Sequence, residues 1–437
     1  MRQLFLGAIG LGLAISSGCA REEGSTSADL TEKARPRAAV KLTLLVVGDP
    51  ELAAGASSLR GEWAERSGGE LIVEQLTLEE LLAAEQISAD AIVYPSRFVG
   101  TLVARNWLRP VRDSVLKSDR FALGDLLPLV RNESMRYGGK VIGISLGEPP
   151  MLLAWQSSSE QEVLVSEADT WEKFDRLSSL EVRDVDLATE LIVRAASGID
   201  RRRRSELLFD PQSMSPRLKT PPMVRALDRI VARTKPVDGS EIRVRFTYPT
   251  AGDLGGEPLW RFKALPFAAT VFDSLRDRWQ PQATDESVTV LGFSGRLVSV
   301  TSSTKNSSSA FKLIAWLTSG KTATQLSSRS QATLWSRISQ RQQANRWIAD
   351  RADDELFELI TRQLSSDNYY VLPRIPGIDR YLRTLNTAVA QAVQGKATPA
   401  EALEAATSQW NALTESLGQK QQRQAYRWHL GLGEVSD

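Results

Sequence analysis

Residues 41–50 read Lys-Leu-Thr-Leu-Leu-Val-Val-Gly-Asp-Pro. A short, nearly continuous apolar run closed by Gly48-Asp49-Pro50 is the pattern of a strand buried on both faces and ended by a turn. Working outward, Leu52, Ala56, Leu59 and Trp63 fall on one helical stripe, with Ser67-Gly68-Gly69 as its stop. Leu71-Ile-Val-Glu reads as a second strand, and Thr77 with Glu80 forms a capping box ahead of Leu81. Asp90-Ala-Ile-Val-Tyr94 is the third strand, released at Pro95-Ser96-Arg97. Strand, helix, strand, helix, strand implies right-handed crossovers onto a parallel sheet, hence an α/β protein. Ligands of such sheets sit beyond the carboxyl ends of the strands, which makes Asp49, Tyr94, Ser96 and Arg97 candidate binding residues.

Composition narrows the function classes. Of 437 residues, 42% are hydrophobic and 24% charged, as in an ordinary globular protein. The formal net charge of +1 provides no field for nucleic acid. The basic run Arg201–Arg204 reads as a solvated loop or helix start. At the N-terminus, Arg2, an apolar run from Leu4 to Ile15, and Ser16-Ser17-Gly18 precede Cys19, the sole cysteine. This is the pattern of a secretory signal over 1–18 ending in a lipobox, with Cys19 as lipidation site and 19–40 as a tether. A plain signal peptide with an incidental cysteine, or an uncleaved anchor, reads the same way, although the apolar run is too short to span a bilayer. The expected location is the periplasm or cell surface, anchored to a membrane through Cys19. With that thiol acylated and only one histidine, His429, the chain lacks the parts of a thiolate nucleophile, a Ser-His-Asp triad or a two-histidine zinc site. His429 itself reads as a residue of the last amphipathic helical turn. Neither metal nor cofactor is expected. The 53 acidic residues leave carboxylate-pair hydrolysis open, with no pair singled out.

Farther on, Val141–Trp155 is extended but interrupted by Gly147 and by Pro149-Pro150, as suits a chain leaving one domain for another. A strand-like stretch over 288–300 contains Gly292-Phe293-Ser294-Gly295. It precedes a helix carrying Phe311, Ile314 and Ala315 on its inner face. Ile378, Tyr381, Leu382, Leu385 and Val389 line another helix. Thr398, Pro399 and Glu401 supply the cap, first-turn proline and capping glutamate of the next, with Leu403, Ala406, Trp410, Leu413 and Leu417 on its stripe.

Four stretches in this order resemble the extracellular solute-binding proteins of ABC importers, family 1, the maltose-binding-like branch. Asp90 to Val111, with Tyr94-Pro95-Ser96-Arg97 and Asn106-Trp107-Leu108-Arg109-Pro110, is similar to that family's strand, binding loop and helix. Tyr137-Gly138-Gly139-Lys140 through Trp155 resembles its first crossover. Gly292–Gly295 through Ser303-Thr304-Lys305-Asn306 to Leu317 resembles its small-residue loop and following helix, and Arg374 to Leu403 its terminal helix pair.

The resemblance implies a two-lobed periplasmic-binding-protein-like (type II) fold with an interlobe cleft closed by hinge motion, and a helical C-terminal segment. Lobe I is expected over 41–147 plus about 288–335, and lobe II over 148–287 plus about 336–437. The implied function is capture of a small solute, a sugar or an anionic one, and delivery to an ABC permease, without chemistry. The implied cleft residues add Glu148, Trp155, Trp260, Phe293, Ser294, Trp335 and Tyr381 to the strand-end set. Tryptophan faces stack on sugar rings, and the Gly292–Gly295 loop offers backbone N–H groups. Trp63, Trp316 and Trp410 sit on helical stripes and read as core. Sugar-binding relatives carry an acidic residue where this chain has Ser96-Arg97, which shifts weight toward an anionic solute. Two alternatives stay open: a lipoprotein of the same fold serving as sensor or assembly partner, and a glycan hydrolase.

Overall fold

The computed structural model describes residues 40–119, 121–156, 162–177, 180–182, 186–233, 242–249, 260–346 and 354–433. Cys19 and the expected signal and tether lie outside the described residues.

The opening run forms the strand Lys41–Val47, buried along nearly all of its length. It pairs in parallel with Glu70–Leu76 on one side and Ala91–Pro95 on the other. The expected single helix between the first two strands is two, Pro50–Ser58 and Arg60–Ser67, broken at Leu59 and ended by a left-handed Gly68. Ala91–Pro95 is joined on its far side by the antiparallel strand Arg296–Thr301, which also carries Leu108–Arg109 and Ile144–Gly147. One late strand is thereby inserted against the grain of a parallel sheet. Helix Ser307–Leu317 closes the layer, with Trp316 against Trp63 at 5.4 Å between ring centres.

A second sheet runs Arg261–Lys263, Leu152–Gln156, Ile242–Thr247, Leu180–Val182. Its core is continuous with the C-terminal helices Ile378–Val393 and Pro399–Leu417, where Tyr381, Trp410 and Phe209 pack ring against ring. The capping boxes at Thr77/Glu80 and Thr398/Glu401 both form as their spacing predicts. Arg201–Glu206, expected as a solvated loop or helix start, is a 3-10 helix whose Arg201 and Arg202 face water while Arg204 is buried.

The apolar side chains divide into two cores, one per lobe. The chain crosses between them at Gly147–Met151. It crosses again at the parallel pair of strands Thr289–Leu291 and Tyr369–Val371. One detail departs from the expected boundary near 335: Leu356, Phe357, Ile360 and Leu364 of helix Asp354–Ser365 pack into the first core, with Trp335 stacked on Phe357 at 5.1 Å. The last crossing therefore comes some thirty residues later, at Tyr369–Val371.

Candidate functional site

The topology gathers four loops at one edge of the first sheet. The carboxyl ends of Lys41–Val47 and Ala91–Pro95 deliver Asp49 and Ser96-Arg97 there. Arg296–Thr301 runs the opposite way, so its start delivers Ser294-Gly295-Arg296. Ile144–Gly147 pairs with that strand and hands over Glu148.

Asp49 is committed to structure. Its Oδ1 accepts the Leu52 N–H at 3.1 Å and caps the first helix, and its Oδ2 accepts from Arg296 Nε at 3.1 Å and from Ser330 Oγ at 2.6 Å. Arg296 also donates to the carbonyls of Gly48 and Gly295. Burial lowers the Arg296 pKa, and Asp49 opposes the shift. Ser96 donates to the Ser294 carbonyl at 2.7 Å and sits 3.4 Å from Glu148 Oε1. Tyr94 is fully buried, with its hydroxyl 2.9 Å from Ser299 Oγ.

Glu148 is the unusual group. It is 0% exposed, and its Oε1 accepts only the Gly292 N–H at 3.2 Å beyond the long contact to Ser96. Oε2 has no partner. Burial pushes this carboxyl up to about 7, against the Gly292 and Ser96 hydrogen bonds and the fields of Arg374 and Arg296. Two further polar atoms share the condition. Arg97 donates from Nη1 to the Phe293 carbonyl at 3.2 Å, yet its Nε is buried without a partner. Tyr248, from just beyond strand Ile242–Thr247 of the second lobe, stacks on Phe293 at 6.3 Å with its hydroxyl buried and unpartnered. Burial raises the Tyr248 pKa first, Glu148 and Asp186 add to the rise, and Arg97 opposes it. A buried polar atom left unmatched costs free energy comparable to a lost hydrogen bond, and these three gather around Phe293, whose carbonyl Arg97 meets, whose ring Tyr248 stacks on, and whose neighbour Gly292 donates to Glu148.

The expected Gly292–Gly295 loop is present, with both glycines at positive φ, +85° and +98°. A Cβ on Gly295 would stand 2.5 Å from Glu148 Oε2, so only glycine admits the carboxyl there. Its N–H groups are engaged inside the protein, Gly292 with Glu148 and Gly295 with the Ala332 carbonyl. Phe293 and Ser294 belong to the cluster through their carbonyls.

The aromatic candidates scatter. Trp155 is buried in the second core, and Trp260 lies under the Arg245 guanidinium at 3.8 Å. Trp335 and Tyr381 are both 0% exposed, Trp335 inside the first core and Tyr381 against Phe209 and Trp410 with its hydroxyl 2.9 Å from Thr414 Oγ1. The structure does not bring these last two to the cluster. Sequence reasoning missed Arg296, Tyr248 and Ser330. Arg296 left a signal, an arginine opening an otherwise apolar strand directly after a glycine; Tyr248 and Ser330 left none. Among the described residues no group of acidic, histidine or cysteine side chains could hold a metal, and no helix is long and apolar enough to cross a membrane.

No protein-family model matches the chain, and no curated protein matches it in sequence. Solved structures do match. The sugar-binding protein MalE of Xanthomonas citri superposes with a TM-score of 0.65 at 13% identity, over 86% of this chain and 98% of that one. The cyclic alpha-maltosyl-1,6-maltose binding protein of Arthrobacter globiformis gives 0.63 at 13% identity, over 86% and 100%. An ABC transporter solute-binding protein of Agrobacterium radiobacter, in complex with ribitol, gives 0.60 at 17% identity, over 86% and 98%. At these identities the likeness is one of architecture: this chain has the two-lobed α/β fold of the maltose-binding type of ABC-transporter solute-binding proteins.

Proposed function

We propose that the protein is a solute-binding component of an ABC importer, holding a small hydroxylated solute between its lobes and releasing it to a membrane permease without chemical change. The observation that carries this reading is the set of buried, unmatched polar atoms at the sheet edge: Glu148 Oε2, Arg97 Nε and Tyr248 Oη. Arg97 belongs to the first lobe, Tyr248 to the second and Glu148 to the segment that crosses between them, so one ligand could satisfy all three only when the lobes are together. Solved proteins of the same fold are described with ribitol, maltose and mannitol bound, which supports a polyhydroxylated class.

The donors refine it. Arg97 and Tyr248 both donate, and a carboxyl titrating near 7 can donate or accept. With Ser96 in place of a carboxylate, the site favours a solute that carries an acidic group beside its hydroxyls, of the sugar-acid type. Asp49 lies outside the binding set, because Arg296 and Ser330 already hold it. Membrane attachment through Cys19 fits this role, since a tether keeps the binder close to its permease.

The test is a titration of the protein with ribitol, maltose and gluconate, read by calorimetry and thermal shift. Saturable binding, tightest for gluconate and weakened at least tenfold in Arg97→Ala and Tyr248→Phe, is the expected result. A flat response to every polyol, oligosaccharide and sugar acid would overturn the reading. So would turnover of a bound glycoside, which would make the protein an enzyme. Attachment is tested separately: Cys19→Ser should move the protein out of the membrane fraction.

A further inference from the structure

A cavity of about 420 Å³ shares no lining residue with the Ser96–Glu148 cluster. One wall comes from Glu133, Arg136 and Tyr137, whose segment packs on the first core, and the other from Arg204, Tyr370 and Arg374, on the side of the second.

Its electrostatics are unbalanced. Four arginines line it, Arg136, Arg201, Arg204 and Arg374, against two acids, Glu133 and Asp367. Asp367 pairs with Arg201 at 2.8 Å, and Glu133 accepts from the Tyr369 hydroxyl at 2.9 Å. Arg204 and Arg374 are 5% and 2% exposed, and neither has a carboxylate within ion-pair distance among the described residues. Among the described residues Arg204 donates to the Ala196 and Tyr369 carbonyls and to Asn368 Oδ1, all neutral acceptors. Arg374 donates to the carbonyls of Ser134 and Arg136 at 2.8 and 2.7 Å, and its Nε is 3.5 Å from His429 Nδ1. Burial lowers the pKa of both guanidiniums, Arg204 to about 10. Burial, reinforced by Arg374, also holds His429 well below its ordinary value, so that it adds no charge at neutral pH. Tyr370 lines the same wall, and its hydroxyl is buried with no hydrogen-bond partner among the described residues.

A buried guanidinium is costly unless a counter-charge accompanies it, and neither of these two has a carboxylate at ion-pair distance among the described residues, Glu148 and Glu133 reaching Arg374 only through their fields. We propose that this cavity is a binding site for a small oxyanion, a carboxylate or phosphate, which supplies the counter-charge to Arg204 and Arg374 and accepts the Tyr370 hydroxyl. Its position gives the ligand a second effect. Arg374 reaches from the second lobe onto carbonyls of the first, so an anion held here bridges the lobes away from the solute site and biases their relative orientation. The site stands independently of the solute proposed above.

The probes are inorganic phosphate and pyrophosphate, titrated calorimetrically into the full chain at constant ionic strength. Saturable binding is expected. It should weaken at least tenfold in Arg204→Gln with partial recovery in Arg204→Lys, weaken severalfold in Tyr370→Phe, and stay unchanged in Arg97→Ala. If Arg204→Gln fails to fold, Tyr370→Phe and Arg136→Glu decide, since the first removes only an unpartnered hydroxyl and the second alters an exposed side chain. The proposal is overturned if neither probe binds saturably, or if binding survives Tyr370→Phe and Arg136→Glu undiminished. Loss of phosphate binding with gluconate binding intact would count against this site alone.

Discussion

Glu190 and Glu148 are equally removed from water, and their carboxyls titrate in opposite directions. Glu190, on helix Leu187–Ser197 of the second lobe, is 1% exposed and held by Arg194 at 2.7 Å and by Arg233 through both oxygens at 2.6 and 2.9 Å. Arg194 is paired in turn with Asp175 at 2.9 Å and stands over the Trp171 ring at 4.2 Å. Burial raises the Glu190 pKa, but the two guanidiniums overcome it and the net shift is downward. Glu148 has comparable burial, one N–H, one distant hydroxyl and, among the described residues, no cation at ion-pair distance; the fields of Arg374 and Arg296 do not offset burial, and it moves up to about 7. Burial alone therefore does not say what a carboxylate is for; the partners do. A buried charge whose lone pairs are all answered within the protein is structural, and one left partly unanswered is available to a ligand.

The largest consequence is in stability. Glu190→Ala leaves Arg233 without its carboxylate and Arg194 with Asp175 alone, and breaking a buried pair by removing one partner costs about 3–5 kcal/mol. Glu148→Gln keeps the shape of the site and removes a charge that the protein solvates poorly, so at pH 8 it should leave stability equal or higher. Urea unfolding of both variants checks the contrast, and similar losses in the two would break it.

The second consequence is in pH. The folded-state pKa of Glu148 lies above its ordinary value of 4.5, so the native state binds the proton more tightly than the unfolded chain does. Its contribution is fully present below pH 4.5 and is lost as pH rises through about 7, on the order of 3 kcal/mol. Subtracting the unfolding free energy of Glu148→Gln from that of the parent at each pH should therefore give a difference that falls across this window. A difference that is flat or rises would show that Glu148 is ionised and answered, as Glu190 is.

The first lobe was legible because its signals are local. A buried strand announces itself by an apolar run, and a capping box by residues three apart, so Lys41–Val47 and Thr77/Glu80 follow from neighbouring residues alone, as does Thr398/Glu401 in the second lobe. The strand ends also pointed to the edge at which Asp49, Ser96 and Arg97 stand. What could not be read was the partner of each polar group. The partner of Asp49 is 247 residues distant at Arg296, and Glu148 takes its N–H from Gly292, 144 residues on. Glu190 illustrates the boundary: Arg194, one turn away, is visible in the sequence, while Arg233, 43 residues on, is not. The aromatic candidates were misleading for a related reason. Trp335 and Tyr381 sit near stretches that resemble cleft-forming ones, but an aromatic ring serves a core equally well, and the rings that claim them, Phe357, Phe209 and Trp410, are contributed by other elements.

Tyr94 offers the finest division between the two kinds of buried polar group. It ends the strand next to Ser96 and is a reasonable ligand contact by sequence, yet its hydroxyl meets Ser299 Oγ at 2.9 Å, and Ser299 passes its own proton to the Ile142 carbonyl at 2.9 Å. The chain of donors is complete within the first sheet, like that around Glu190 and unlike that around Glu148. Tyr94→Phe deletes one link and leaves Ser299 bonded to Ile142, so the expected cost is about 1 kcal/mol, the net worth of a buried hydrogen bond. Solute affinity in the same variant should be unchanged, while Tyr248→Phe, which removes a hydroxyl with no partner among the described residues, should lower affinity at little cost in stability. Measuring unfolding and gluconate binding on both tyrosine variants places each hydroxyl on one side of the division. If Tyr94→Phe lost affinity and kept its stability, the criterion of the answered partner would fail at the position where it is most directly tested.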